Sequence, residues 1–214
     1  EVMRSLDIFP EAKRRTKSWE SLNLYAQIAH KLGLYTIKSE LEDLSLKYLE
    51  TEAYNHIVHE LKESEKERMA FIEEFLKPIR ELLDRDGLKY HIKSRTKSVY
   101  SIFQKMRKQK VSFKGVYDIF ALRIIIDCPV EREKALCWTV YSHVASLYTP
   151  NPERMRDWIS IPKSNGYESL HTTVSAGGGK WVEVQIRTER MDEVAERGIA
   201  AHWRYKGVKQ GGML

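Results

Sequence analysis

The chain of 214 residues, 25.1 kDa, is long enough for one large domain or for one domain with a helical appendage. Its 42% hydrophobic and 31% charged residues exclude a disordered or fibrous chain, and no apolar run approaches the roughly 20 residues of a membrane helix. The net charge of +6 is modest, but nine cations fall between Lys89 and Gly115 without one Asp or Glu, so the other residues sum to −3.

Glu1-Val2-Met3-Arg4 lacks the basic-then-apolar pattern of a signal peptide. The chain opens in helical character and ends on Gly211-Gly212-Met213-Leu214 without a stop signal of its own, so an excised fragment is expected. Ser18 is the expected N-cap of a first helix with Leu22, Tyr25, Ala26, Ala29 and His30 at helical spacing, ending at Gly33. Ile37, Leu41, Leu44 and Tyr48 fall on one stripe of a second. A long third helix is predicted from Thr51 through Met69, Ile72, Leu76 and Leu83, kinked or split at Pro78 and ended by Asp84-Arg85-Asp86-Gly87. A boundary is expected there, leaving 1–88 all-helical.

Beyond Gly87 the pattern changes. Residues 89–93 alternate like a strand, and residues 98–108 carry a helical apolar face of Val99, Ile102, Phe103 and Met106. Phe120 to Ile126 is rich in β-branched residues, as an interior strand is. Pro129 precedes a helix with Ala135, Trp138, Tyr141, Val144 and Leu147; a loop from Tyr148 follows. Strands at 170–174 and 181–186 are joined by a Gly177-Gly178-Gly179 hairpin, and a last helix is predicted over 189–204. This order predicts an α/β (α+β) domain with a mixed β-sheet flanked by helices, preceded by the helical segment. Cys128 and Cys137 read as buried small apolar residues, and two thiols cannot build a disulfide framework or a four-thiolate zinc site, so a reducing cytoplasm is the expected compartment.

Neither Gly-x-x-x-x-Gly-Lys-Ser/Thr nor Gly-x-Gly-x-x-Gly occurs. Phosphates bound here would need side-chain cations instead of a glycine cradle. His56 and His59 lie three apart on a helix with no third ligand nearby, which favours an exposed helix face over a metal pair. Two acids stand out: Asp118 just before the apolar strand, and Glu183 between Val182 and Val184 in another. Singly, each reads as a solvent-facing strand residue. Together, amid cations, they suit one Mg²⁺ shared with a polyphosphate, whose remaining charge Arg95, Lys97, Lys105 and Arg123 could neutralise. The segment from Pro162 to His171 adds Lys163, Asn165, Gly166, Tyr167 and His171. Composition leaves two readings open: a purine stacked on Tyr167, or a loop whose Tyr167 plugs the core.

Ser94-Arg95-Thr96-Lys97, Tyr100-Ser101-Ile102, the Asp118-x-x-Ala-x-Arg123 strand, Pro162-Lys-Ser-Asn-Gly-Tyr-Glu-Ser-Leu-His-Thr-Thr173, Glu183-Val-Gln-Ile-Arg-Thr188 and Ala200-Ala-His-Trp-Arg-Tyr-Lys206 occur in that order. This resembles the synthetase domain of the RelA/SpoT family, densely over 89–207. Leu24 to Gly33 and Lys38 to Leu44 resemble the helices that close the family's hydrolase domain and lead into the synthetase. The resemblance implies a nucleotidyltransferase-like fold, with 208–214 as a tail. It implies transfer of the β,γ-pyrophosphate of ATP to the 3′-hydroxyl of GDP or GTP with release of AMP. Asp118 would hold Mg²⁺, and Glu183 would act as general base or second metal contact. Arg95, Lys97, Ser101, Lys105 and Arg123 would face ATP, with Arg95 and Arg123 stacking adenine. Arg156, Lys163, Asn165, Tyr167 and His171 would face the acceptor nucleotide, with Tyr167 stacking guanine. Gln185 and Arg187 would support the site, and His202 and Trp203 would pack.

Two residues depart from the family pattern: Arg156 stands in Arg154-Met155-Arg156-Asp157 where dual-activity members carry Lys, and Ser98 where His is commoner. Arg keeps the charge but changes the donor geometry; the bifunctional type is expected. Val2 to Leu6 resembles the tail of the family's last hydrolase metal motif, with Val2 where Asn is usual. The resemblance implies that hydrolysis needs a metal-binding His/His-Asp set upstream; no His-Asp dipeptide occurs here, so hydrolysis by this chain is not expected. Ribosome or tRNA contacts are expected only through regions outside this chain, and no membrane partner is expected. The competing readings are a non-catalytic RNA- or ribosome-binding module using the 89–115 basic block and a nucleotidyltransferase acting on a nucleic-acid end.

Overall fold

A computed structural model describes residues 1–116 and 118–198, so the expectations for His202, Trp203 and the 208–214 tail lie outside the described residues. The helices are α1 (Glu11–Glu20), α2 (Ala26–Lys31), α3 (Tyr35–Leu49), α4 (Thr51–Glu63), α5 (Glu65–Arg85), α6 (Val99–Gln109), α7 (Glu133–Leu147) and α8 (Glu189–Arg197). The strands are β1 (Tyr90–Thr96), β2 (Phe120–Ile126), β3 (Arg156–Asp157), β4 (Leu170–Ser175) and β5 (Trp181–Thr188). No helix among the described residues is long and apolar enough to cross a membrane.

The chain divides into two compact units. The first joins Glu1–Ser64 with Lys97–Val116. In it α1 runs through a wide turn at Ser21–Tyr25 into α2, and both pack on α3. Ser18 is therefore not an N-cap: it lies inside α1, fully buried, with its hydroxyl unpartnered. The helix does end at Gly33, whose φ of 71° sets the left-handed cap that lets the Leu34 amide donate back to the Ala29 carbonyl. The apolar stripe expected on α3 is not its buried side. Ile37 is exposed, while Glu42, Ser45 and Leu46 are buried, because α3 is surrounded by α1, α2, α4 and α6.

The second unit joins Glu65–Thr96 with the described part of Tyr117–Leu214. Its five-stranded sheet has the order β1-β2-β5-β4-β3, with β2 and β5 parallel and every other pair antiparallel. This is the mixed sheet that the alternation of strands and helices predicts. Phe120, Leu122, Ile124 and Ile126 of β2, Val182, Val184 and Ile186 of β5, and Leu170 and Val174 of β4 share one face. They form a core with Ile72, Phe75, Leu76, Ile79 and Leu83 of α5 and Leu136, Val140 and Val144 of α7. Because α5 belongs to this core, the turn at Gly87 is not a packing boundary. The predicted helix 51–83 breaks at Ser64, not at Pro78. Burial of Phe75, Leu76 and Ile79 outweighs the roughly 3 kcal/mol cost of a helical proline, and the Tyr148 hydroxyl donates to the Phe75 carbonyl at 2.8 Å, beside the turn that Pro78 disturbs. The glycine hairpin is built as expected, with φ of 82°, 58° and 76° at Gly177, Gly178 and Gly179.

Candidate functional site

Strand residues two apart share a face, so the sheet's register fixes what lies opposite the core. One row crosses all five strands: Lys93, Arg123, Gln185, His171 and Arg156 are successive partners. The next row is Arg95, Ala121, Glu183 and Thr173. Seven of the residues that the sequence singled out, Arg95, Arg123, Arg156, His171, Glu183, Gln185 and Arg187, thus occupy one polar face of the second unit.

Glu183 is half-buried and its Oε1 accepts from Gln185 Nε2 at 2.8 Å. Asp118, also half-buried, lies in the segment entering β2, three residues ahead of the Ala121 that pairs with Glu183. No three metal-ligating side chains come together among the described residues. Two hard carboxylates are nevertheless the kind of donor set Mg²⁺ uses when it keeps the rest of its shell for water and phosphate, so these residues fit that ion chemically. Arg95 and Arg123 are close enough to oppose each other's charge: burial and then Arg123 push the Arg95 guanidinium down from its usual range. Arg123 is only 8% exposed and donates to Gln185 at 3.1 Å and to Glu196 at 2.6 Å.

The segment 162–171 is a closed turn. The Gly166 amide donates to the Lys163 carbonyl and the Lys163 amide to the Tyr167 carbonyl, while Asn165 Oδ1 accepts from the Tyr167 amide. Gly166, at φ 81°, supplies the conformation this needs. Tyr167 is only 7% exposed, with its ring taken up by cations. Lys163 Nζ sits 4.9 Å from the Tyr167 ring and 4.9 Å from that of Trp158, and Arg187 lies 5.2 Å from Tyr167. The Tyr167 hydroxyl accepts from Arg187 at 2.7 Å and bonds His171 Nε2 at 2.7 Å. Burial pushes His171 down to about 4, against the pull of Glu183, so this imidazole is neutral at pH 7. Burial also raises the Tyr167 phenol and lowers the Lys163 ammonium. Arg156 is exposed and donates to the carbonyls of Glu153 and Met155.

In the first unit, α6 carries Ser101 and Lys105 four residues apart, hence on one side; Lys97 lies just ahead of its N-cap. That cap is Ser98, the residue that departs from the commoner His. Its Oγ accepts from the Ser101 amide at 3.2 Å and donates to the Ser101 hydroxyl at 2.7 Å.

A family model described as a region found in RelA / SpoT proteins matches residues 94–210. The chain belongs to the RelA/SpoT family. Among its relatives, the guanosine-3′,5′-bis(diphosphate) 3′-pyrophosphohydrolase of Aquifex aeolicus is 42% identical over 208 residues, 97% of this chain and 29% of that protein. The GTP pyrophosphokinase of Myxococcus xanthus is 41% identical, covering 97% of this chain and 27% of that protein. The bifunctional (p)ppGpp synthase/hydrolase SpoT of Escherichia coli K12 is 40% identical, covering 95% and 28%. The chain therefore spans less than a third of the length of these relatives.

Sequence reasoning gave Arg187 of this RelA/SpoT chain a supporting role, yet it is the hub of the polar face. It is fully buried, donates to Gln185 at 2.6 Å, lies 3.4 Å from Asp192, and leaves its Nε unpartnered. Residues that were missed lie on α8 and at its start. Glu189, Asp192 and Glu196, at i, i+3 and i+7, meet His91 at 3.1 Å, Lys93 at 3.1 Å and Arg123 at 2.6 Å respectively. Arg190 pairs with Glu168 at 2.6 Å and with Glu133 at 2.7 Å, tying the residue after Tyr167 to the start of α7. The acidic spacing on α8 was legible; its complement on the strands was not, because strand register is a tertiary fact.

Proposed function

We propose that this chain carries the (p)ppGpp-synthesising part of a RelA/SpoT protein, a cytoplasmic ATP:GTP/GDP 3′-pyrophosphotransferase, or GTP pyrophosphokinase. The observation that carries the reading is the single polar sheet face on which Glu183 shares a surface with Arg95, Arg123 and His171, within the matched region 94–210. In the proposed reaction the acceptor's 3′-oxygen bonds to the β-phosphorus of ATP, the α,β-bridging P–O bond breaks, and AMP leaves. Glu183 takes the hydroxyl proton, since a ribose hydroxyl at neutral pH needs a base within reach. Arg95 and Arg123 are assigned to the adenine side, Lys97, Ser101 and Lys105 to the ATP phosphates, and Arg156, Lys163, Asn165, Tyr167 and His171 to the acceptor. Asp118 and Glu183 are the residues that would hold Mg²⁺; bound there, the ion would neutralise phosphate charge.

Two consequences follow from the observed contacts. For Tyr167 to stack a guanine, Lys163 must leave the ring and pass to the phosphates. For Arg123 to stack an adenine, Glu196 must release it. Two of the three relatives above have hydrolysis in their names, but those names belong to proteins more than three times this length. The absence of any His-Asp dipeptide supports synthesis as this chain's share. The same reading takes 1–88 as the end of the hydrolase domain with its linker and 89–207 as the synthetase, with α5 joining the latter by packing.

Incubation with ATP, GDP and Mg²⁺ followed by product separation tests the proposal. AMP with a 3′-pyrophosphorylated guanosine nucleotide is expected. Pyrophosphate release would point to a nucleotidyltransferase; no turnover with steeply salt-dependent RNA binding would point to a binding module. Glu183→Ala should cut AMP formation by about 10²–10⁴-fold with the fold retained, and unimpaired synthesis by that variant would reject the assignment.

A further inference from the structure

The first backbone amides of a helix are a ready anion site, because their N–H groups lack partners inside the helix. On α6 three of those groups, the amides of Val99, Tyr100 and Ser101, are already occupied. Ser98 Oγ accepts from the Ser101 amide, and the Asp43 carboxylate, from α3, accepts from Tyr100 at 2.8 Å and from Val99 at 3.3 Å. Both helices belong to the first compact unit. With the Val99, Tyr100 and Ser101 amides taken, little of this end is left for a phosphate, so an anion that α6 handles is met chiefly by its side chains. Lys97, Ser101 and Lys105 all stand within two turns of the cap.

The position of those side chains is set by two contacts. Val99 and Ile102 are buried and fix which side of α6 faces inward; α3 and α4 are the helices it packs on. Apolar packing resists rotation and separation but allows sliding, since it is not directional. The Asp43 hydrogen bonds are directional and fix α6 along its axis. Keeping Asp43 there is costly. It is half-buried, and burial pushes its carboxyl upward, with the two amides pulling the other way. A cap used for helix stability alone needs no carboxylate from another helix, because Ser98 already caps α6 from within its own segment.

We infer that Asp43, which lies outside the matched region 94–210, is a positioning residue for ATP. By clamping the start of α6 to α3 it holds Lys97, Ser101 and Lys105 where they meet the phosphates. The inference rests on the ATP role proposed above for those three residues, and it assigns part of the synthetase's ATP affinity to the preceding helical segment.

The experiment compares wild type, Asp43→Ala and Asp43→Asn in the full 214-residue chain, with AMP release measured against ATP at saturating GDP and against GDP at saturating ATP. Asp43→Ala should raise the KM for ATP about five- to tenfold, the scale of a lost helix cap, with the KM for GDP unchanged. Asp43→Asn, which keeps an acceptor oxygen, should recover most of that loss. Amide exchange supplies a readout independent of turnover: Val99 and Tyr100 should lose protection in Asp43→Ala. An unchanged ATP KM in a folded Asp43→Ala chain, or equal losses for both substrates, would overturn the inference. If wild type releases no AMP, the enzymatic reading itself has failed. Fluorescent ATP-analogue binding then decides: equal affinity in wild type and Asp43→Ala removes the positioning role as well.

Discussion

The two faces of the sheet are made from the same strands but are held by opposite means. On one, Leu122, Ile124, Ile126, Val184 and Ile186 meet α5 and α7 with nothing but apolar surface. On the other, Lys93, Arg123 and Arg187 lie with Asp192 of α8 at salt-bridge distances of 3.1, 3.7 and 3.4 Å. The apolar face gains free energy from burial at roughly 25 cal/mol per Å². For its buried members, Arg123, Arg187 and Asp192, the charged face has to recover a desolvation cost of several kcal/mol per ion, and replacing such a group as a whole by hydrophobic residues is often more stable, whereas removing one partner is costly. A cluster of that kind is poor economy for stability alone, and it lies on the face that we propose as the working surface.

The contrast can be broken most severely at Arg187. Arg187→Met should cost about 3–5 kcal/mol in urea unfolding, because it strips a donor from Tyr167 and Gln185 and one cation from buried Asp192; a loss below about 1 kcal/mol would show the hub to be dispensable. On the apolar face, Ile124→Ala should cost about 3 kcal/mol through the cavity it leaves. Specific activity per folded molecule should be unchanged there, whereas Arg187→Met should lose activity as well as stability. The smallest effect is a pH response. His171 titrates near 4 in the folded chain and near 6.5 when unfolded, so the unfolded state takes up the proton first. Stability should therefore fall as pH drops from about 6.5 toward 4, by roughly 2–3 kcal/mol. His171→Asn should remove that component, and equal pH slopes for the two proteins would show that the imidazole is not held neutral.

Much of the architecture was written in short-range pattern. The β-branched run at 120–126 became β2 residue for residue, and the three glycines became a hairpin because each adopts positive φ. Where local signals competed with packing, packing decided. Pro78 stayed helical, Ser18 was absorbed into a longer helix, and α3 buried Glu42 and Ser45 in place of Ile37. The site followed the same division. Arg95, Asp118, Arg123 and Glu183 stood out as charges in or beside apolar strands, while Asp43, Asp192 and Glu196 sat in ordinary helix patterns and carried no signal of their partners. Tyr167 was open between stacking platform and core plug; its burial and its bonds to Arg187 and His171 favour the plug.

By itself the sequence determined the alternation of strands and helices, the charge of the 89–115 block and the family to which the chain belongs, since each is a property of neighbouring residues or of ordered motifs. Which cations lie side by side, which carboxylates neutralise them and which amides of α6 are already taken depend on how distant segments pack together. The reason is geometric: a register shift of one residue moves every strand side chain to the other face, and a hydrogen bond between Asp43 and Tyr100 joins positions that no local rule relates.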